Sequence, residues 1–211
     1  MLSERGRILK IILSLNKVRP NAKSELLHDT ALDFLVAVIL SAQATDKGVN
    51  KATPELFKKY NTASSYAKAS PEDIYAYIKS INFYKTKAVR IIEACKYIVG
   101  NFNGEVPKHV DELVKIPGIA RKSANVISQE LFNVVEGIVV DTHVTRVSQR
   151  LGFTEEKNAV KIEKDLMNLL PREYWKGYGV QIVLHGRYIC VAGKPKCLEC
   201  PINKLCPSAQ I

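Results

Sequence analysis

The sequence predicts an all-α protein, and three observations carry that prediction. Apolar residues recur at helical spacing along most of the 211 residues. No segment shows the convincing alternation of a half-buried strand. Capping sequences such as Ser70-Pro71-Glu72-Asp73 mark helix starts, and no internal repeat or low-complexity tract breaks the pattern.

Residues 3 to 17 fit one helix, with Ser3 as cap and Ile8, Ile11, Ile12 and Leu15 on one face. A polar connector from residue 19 to 25, containing Pro20, follows. Residues 30 to 41 are apolar nearly all round, which predicts the central core helix of its domain. Residues 41 to 46 then leave that helix as a polar loop, and Thr45 or Asp46 can cap a helix carrying Val49, Leu56 and Phe57. Pro71 stands at the first position of a helix running through Tyr75 and Ile78. Residues 81 to 85 read as a turn that exposes an aromatic. Residues 87 to 99 are again helical, with Val89, Ile92 and Cys95 inward. Cys95 stands alone and reads as core packing.

From Leu113 the chain reads as helix, tight turn, helix. Pro117 stops the incoming helix, Gly118 supplies a turn that other residues resist, and residues 120 to 131 resume a helical apolar period. Such a turn leaves the amides around residues 118 to 121 without helical partners at the positive end of a helix dipole, a site that suits a phosphate. Lys122 lies just inside the new helix. Its ammonium is disfavoured there beside Arg121, which predicts ready access to the neutral, nucleophilic amine. Asp141 follows the apolar run Ile138-Val139-Val140 and opens another helix. A lysine nucleophile and a placed carboxylate are the parts of amine-based covalent catalysis; a plain helical hairpin with a surface lysine and an aspartate cap is the other reading. Residues 147 to 151 continue the helix after Asp141. Thr154-Glu155-Glu156 caps the next, which carries Val160, Ile162, Leu166 and Leu169, and residues 178 to 189 form a last amphipathic helix that delivers Cys190.

The length allows one large domain or two small ones, and a 46% hydrophobic content marks a globular chain. A net charge of +10 favours a polyanionic partner. The N-terminal segment is too short in its apolar part and too charged for a signal peptide, and the uncharged stretch from 34 to 45 is too short for a bilayer. These features predict a soluble, cytoplasmic protein. Four of the five cysteines, Cys190, Cys197, Cys200 and Cys206, fall within the C-terminal stretch at Cys-x6-Cys-x2-Cys-x5-Cys spacing. Turn-forming Gly193, Pro195 and Pro201 let such thiolates converge on one centre, a four-sulfur zinc or a [4Fe–4S] cluster. Zinc sites usually pair two short knuckles across a longer gap, and a single Cys-x-x-Cys tilts the choice to iron–sulfur. Lys194 and Lys196 lie in the loop between the first two cysteines and Arg187 just before it. They can contact phosphate or balance the cluster's charge.

Four blocks, LSAQATDKGVNKAT from Leu40, FYKTKA from Phe83, IPGIARKSANV with VDTHVTRV, and the terminal cysteine run, appear in one order. Together they resemble the endonuclease III family, the helix-hairpin-helix DNA glycosylase/AP lyases that repair oxidised pyrimidines. The resemblance implies two helical domains with DNA bound in the cleft between them. One would be a six-helix barrel over residues 23 to 134, ending with the hairpin. The other would join residues 1 to 22 with 135 to 211 and hold a [4Fe–4S] cluster on the four cysteines. It implies Lys122 as catalytic lysine, Asp141 as catalytic aspartate, and Gln43 as the residue filling the gap left by a flipped nucleotide. The implied DNA-contacting set adds Phe83, Lys85, Gly118, Ala120, Arg121, His143, Arg187, Lys194 and Lys196. It further implies a monomer acting on double-stranded DNA with damaged pyrimidines or abasic sites.

Adenine-mismatch glycosylases of this fold generally lack the lysine and carry an extra C-terminal domain, which a chain ending five residues after Cys206 is not expected to have. A non-catalytic DNA-binding module and an iron–sulfur redox sensor are readings from other classes. Three departures stand out. Ala120 replaces a usual glycine, which predicts altered hairpin geometry or phosphate affinity. Asn82 replaces another glycine and, as the next best residue for left-handed φ, is expected to adopt it. Phe83 and Lys85 replace what are commonly leucine and asparagine, a larger wedge that could shift lesion or opposite-base preference.

Overall fold

The computed structural model describes residues 3–18 and 24–210, and among them every regular element is helical. The described residues form two compact units. The central unit is Ser24–Val134; the terminal unit combines the described part of Met1–Lys23 with Val135–Ile211. Helix α1 (Glu4–Val18) belongs to the terminal unit.

The central unit holds α2 (Ala31–Ser41), α3 (Asp46–Ala52), α4 (Pro54–Lys59), α5 (Ala63–Lys68), α6 (Pro71–Ile78), α7 (Tyr84–Phe102), α8 (Val110–Leu113) and α9 (Arg121–Phe132). Thr30 and Asp33 close a reciprocal capping box at the start of α2: Thr30 Oγ1 accepts the Asp33 amide at 3.1 Å and Asp33 Oδ2 accepts the Thr30 amide at 2.9 Å. From Leu32 to Leu40 every residue of α2 is buried. At about 1.5–3 kcal/mol per fully buried large side chain, this helix contributes substantially to the unit's core, which it shares with residues of α7, α9 and the shorter helices.

Several elements differ from expectation. Pro54 lacks an amide and starts a new helix, so the segment carrying Val49, Leu56 and Phe57 is two helices, α3 and α4. Helix α5 escaped the periodicity reading because it offers little apolar content, although Thr62 and Ser65 cap it reciprocally. Helix α7 is longer than predicted at both ends. Its buried face runs through Ala88, Ile91, Ile92, Cys95 and Ile98, which turns Val89 outward.

The terminal unit adds α10 (Thr142–Arg150), α11 (Ala159–Leu169) and α12 (Trp175–Tyr188). Ile8, Ile11, Ile12 and Leu15 of α1 join Val144, Val147, Ile162, Leu166 and Ile182 in one core. The buried Tyr178 hydroxyl is satisfied by Ser148 Oγ at 2.7 Å. Asn158, not the Thr154 segment, caps α11, its Oδ1 accepting the Val160 and Lys161 amides. Thr154 instead donates to Asp165 Oδ2 at 2.6 Å, and Val160, in the first turn, points outward. No helix among the described residues is long and apolar enough to cross a membrane.

Candidate active site and cluster site

In the central unit the hairpin is built by consecutive tight turns. Helix α8 ends before Pro117, earlier than the proline alone predicts, and Ile116 and Ile119 donate to Leu113 O and Ile116 O, each at 3.1 Å. The Ile119 amide is therefore used within the turn, which narrows the anion site expected at residues 118 to 121. Gly118 sits at φ +84°, where a side chain is strained. Ala120 does not: at φ −83°, ψ 164° it is the extended N-cap of α9, a conformation any residue adopts. The expected distortion at Ala120 is absent. Its methyl group accepts no hydrogen bond, so the first-turn amides of α9 lack a side-chain cap and suit an incoming phosphate. Lys122 projects from this first turn into solvent. On the opposite face Ala124 and Ile127 are buried, and Ser128 Oγ lies 2.7 Å from Lys108 O and 3.0 Å from Val134 O, anchoring the helix.

Two loops of the same unit carry the other candidates. Gln43 and Phe83 both adopt left-handed backbones, at φ 54° and 59°. Asn82 does not, which corrects the expectation; its side-chain amide instead donates to Gln43 O at 3.3 Å. Phe83 is 64% exposed, and Lys85 is exposed in the first turn of α7.

In the terminal unit Asp141 is the N-cap of α10. Its Oδ1 accepts the Val144 amide at 2.8 Å, so the carboxylate, half buried behind the buried run Ile138 to Val140, has a fixed direction. His143 Nδ1 lies 3.1 Å from the guanidinium of Arg146. Because an arginine can only donate, Nδ1 accepts and the neutral ring carries its proton on Nε2. Gly186 makes this packing possible, since an added Cβ would come within 2.9 Å of His143 Cβ.

The four C-terminal cysteines line one cavity, closed by Val147, Leu151, Ile189 and Ile202. Arg150 donates to Cys190 Sγ at 3.2 Å and to Val191 O and Ala192 O at 2.8 Å each. Arg146 binds Cys190 O at 3.1 Å, and Arg7 reaches Leu151 O and Leu205 O. Sequence reasoning missed these arginines. The i, i+4 spacing of Arg146 and Arg150 on α10 was visible, but nothing in the sequence announced their carbonyl partners. Lys194 and Lys196 are exposed, Arg187 is half buried, and the Lys196 amide closes the loop onto Ile189 O at 3.0 Å.

Residues 36–172 match the HhH-GPD superfamily of base excision DNA repair proteins, and residues 190–206 match the iron–sulfur binding domain of endonuclease III. Endonuclease III of Synechocystis is 46% identical over 100% of this chain and 96% of its own length. The Bacillus subtilis enzyme is 44% identical over 90% and 87%. The chain belongs to the endonuclease III family. A trapped covalent endonuclease III–DNA intermediate, an estranged-adenine complex, superposes with a TM-score of 0.91 at 41% identity, covering 99% of this chain and 98% of that one. A thermostable thymine-DNA glycosylase, at 20% identity and a TM-score of 0.86, shares the fold.

The cofactor of the endonuclease III family is a [4Fe–4S] cluster, and the cysteine pocket fits it. Among the described residues no three His, Cys, Asp or Glu side chains close on a point that would hold a single ion, whereas four sulfurs ring one largely apolar cavity. Four thiolates around one cavity suit the four irons of such a cluster, one ligand for each. Arg150 at Cys190 and His185, whose Nε2 lies 3.7 Å from Cys200 Sγ, supply hydrogen-bonding nitrogens to sulfurs that would carry negative charge. Burial pushes the Cys200 and Cys206 thiols above their ordinary pKa, so ligation there releases protons.

Proposed function

We propose that this chain is a bifunctional glycosylase and AP lyase that removes oxidised pyrimidines from double-stranded DNA. The observation that carries this reading is Lys122, an exposed amine in the first turn of an uncapped hairpin helix. The amides of that turn and Arg121 hold a DNA phosphate, and the net charge of +10 supports the duplex as partner. The damaged nucleotide is extruded at a cost of roughly a few kcal/mol, smallest where pairing is already weakened. Neutral Lys122 Nζ attacks C1′, the C1′–N bond breaks, and the base leaves with the electron pair and is protonated. Ring opening gives the lysine Schiff base. Asp141 stabilises the developing cationic sugar and assists proton transfers. Loss of a C2′ proton then expels the 3′ phosphate oxygen by β-elimination, and water releases the enzyme.

Cys190, Cys197, Cys200 and Cys206 hold the [4Fe–4S] cluster, which supplies no bond-breaking step and braces the loop with Lys194 and Lys196. Gln43, Phe83, Lys85 and His143 complete the DNA contacts, the last as an Nε2–H donor. The protein acts as a monomer on cytoplasmic DNA, a reading that rests on family likeness.

Borohydride trapping on duplexes holding thymine glycol or an abasic site tests the mechanism. Wild-type protein gives a covalent band with both, and Lys122→Gln gives none. Base release that survives Lys122→Gln, with no trapped species in either protein, would overturn the lyase mechanism in favour of a monofunctional glycosylase.

A further inference from the structure

Four non-glycine residues among those described have positive φ. Asn103 and Asn133 are helix C-caps, and asparagine tolerates that conformation. The other two are Gln43 and Phe83, a glutamine and an aromatic, for which the left-handed backbone is strained. Strain of this kind persists only where surrounding contacts over-determine it, and two contacts here do so.

The first is Lys87. It is 2% exposed, and its ammonium donates to Leu40 O, in the last turn of α2, at 2.8 Å. Its own amide donates to Phe83 O at 3.0 Å. The ammonium thus ties the first turn of α7, whose N-cap is Phe83, to the helix end from which the Gln43 loop departs, while the bond to Phe83 O is the regular main-chain bond of that turn. Burial, with a contribution from Arg90, lowers the Lys87 pKa, the cost of placing an ammonium where only a carbonyl receives it. Its burial also removes it from candidacy as a second Schiff-base lysine. The second contact is the Asn82 side chain, which donates to Gln43 O and so bonds one strained residue to the neighbour of the other.

We propose that Lys87 and Asn82 are positioning residues that lock Gln43 and Phe83 into a single preorganised wedge for the duplex. The inference rests on the reading of Gln43 and Phe83 as DNA-intruding residues. Because the wedge is formed before DNA arrives, duplex binding does not have to order either loop.

The test is a double-mutant cycle on a duplex carrying an abasic site, with KM and saturating single-turnover rate measured separately. Asn82→Gly raises KM about fivefold and Lys87→Met by roughly tenfold or more, as expected for one neutral and one charged hydrogen bond. The saturating rate of Schiff-base formation stays within about twofold of wild type for both, because neither residue reaches the reacting atoms. In a Gln43→Ala/Phe83→Ala background both effects vanish. Equal losses in both backgrounds would overturn the proposal, and so would an unchanged KM in Asn82→Gly, an exposed substitution that leaves the core intact. If Gln43→Ala/Phe83→Ala alone leaves KM unchanged, the reading of these two residues fails first, a result distinct from failure of the lock.

Discussion

The two units hold themselves together by different means. The central unit closes around α2, a helix buried through nine consecutive residues, and its apolar side chains form one continuous cluster. The terminal unit has a comparable core only where α1, α10, α11 and α12 meet. Beyond Cys190 the single buried apolar side chain among the described residues is Ile202, and Leu198 is 82% exposed. That segment is held by guanidinium groups on backbone carbonyls, from Arg7, Arg146 and Arg150, and by its cysteines. The central unit's continuous core predicts a fold that needs no ligand, and the single buried apolar side chain beyond Cys190 predicts a segment that depends on what its cysteines bind.

The largest effect that would sharpen this contrast comes from removing a cluster ligand. Cys200→Ala should release iron and leave residues 191 to 210 open to proteolysis, because metal-binding free energy is folding free energy in a segment without its own core. Helices of the central unit should keep their hydrogen-exchange protection. Affinity for undamaged duplex should fall, and the salt dependence of binding should flatten by about two phosphate contacts if Lys194 and Lys196 are lost as a pair. An iron-free variant whose C-terminal segment still resists protease would break the comparison.

The same contrast governs what the sequence made legible. Helix α2 was readable because burial all round leaves a nearly uninterrupted apolar run, and Asp141 because a cap after a buried segment is a local signal. The cysteine spacing was equally local. Val89 reads as inward because a single valine at helical spacing does not say on which side of the stripe it falls, and it lies outside it. The backbones at Ala120 and Asn82 were misjudged for another reason. Glycine departures were read as left-handed positions, whereas the turns place the positive φ at Gly118 and Phe83. Buried Lys87 and the arginine ties were invisible, since their partners are carbonyls, which every residue possesses. Long-range polar contacts to backbone leave almost no mark in sequence.

An intermediate effect is expected from Arg150→Met. It keeps the aliphatic stem but removes donors to Cys190 Sγ, Val191 O and Ala192 O. Charged hydrogen bonds of this kind contribute about 1.5–3 kcal/mol each when left unmade, with overlap among donors of one group. Denaturation of the iron-loaded protein should show the terminal unit destabilised by about 2 kcal/mol and cluster loss accelerated, with the central unit unchanged. Arg150→Lys should not restore it, because one ammonium cannot reproduce a planar fork that serves a sulfur and two carbonyls. Full rescue by lysine would show that only the charge mattered.

The smallest effect lies in the central unit and should be independent of the cluster. Ser70 caps α6 by accepting the Asp73 amide at its hydroxyl oxygen, 3.3 Å away, and donates to Asp73 Oδ2 from that hydroxyl at 2.7 Å and from its own amide at 3.1 Å. These bonds, aided by Lys59, hold the Asp73 carboxyl below its ordinary value of 3.8. A carboxyl depressed on folding favours the folded state while it is ionised. Its contribution is therefore fully present above the unfolded value and fades as pH falls through the lower folded one. Ser70→Ala should cost stability at neutral pH, and the gap from wild type should narrow on acidification to about pH 3, with iron loaded or absent. A gap that stays constant across that range would mean that the serine acts only as a neutral cap. A gap that depends on iron would mean that the central unit is not as self-sufficient as its core suggests.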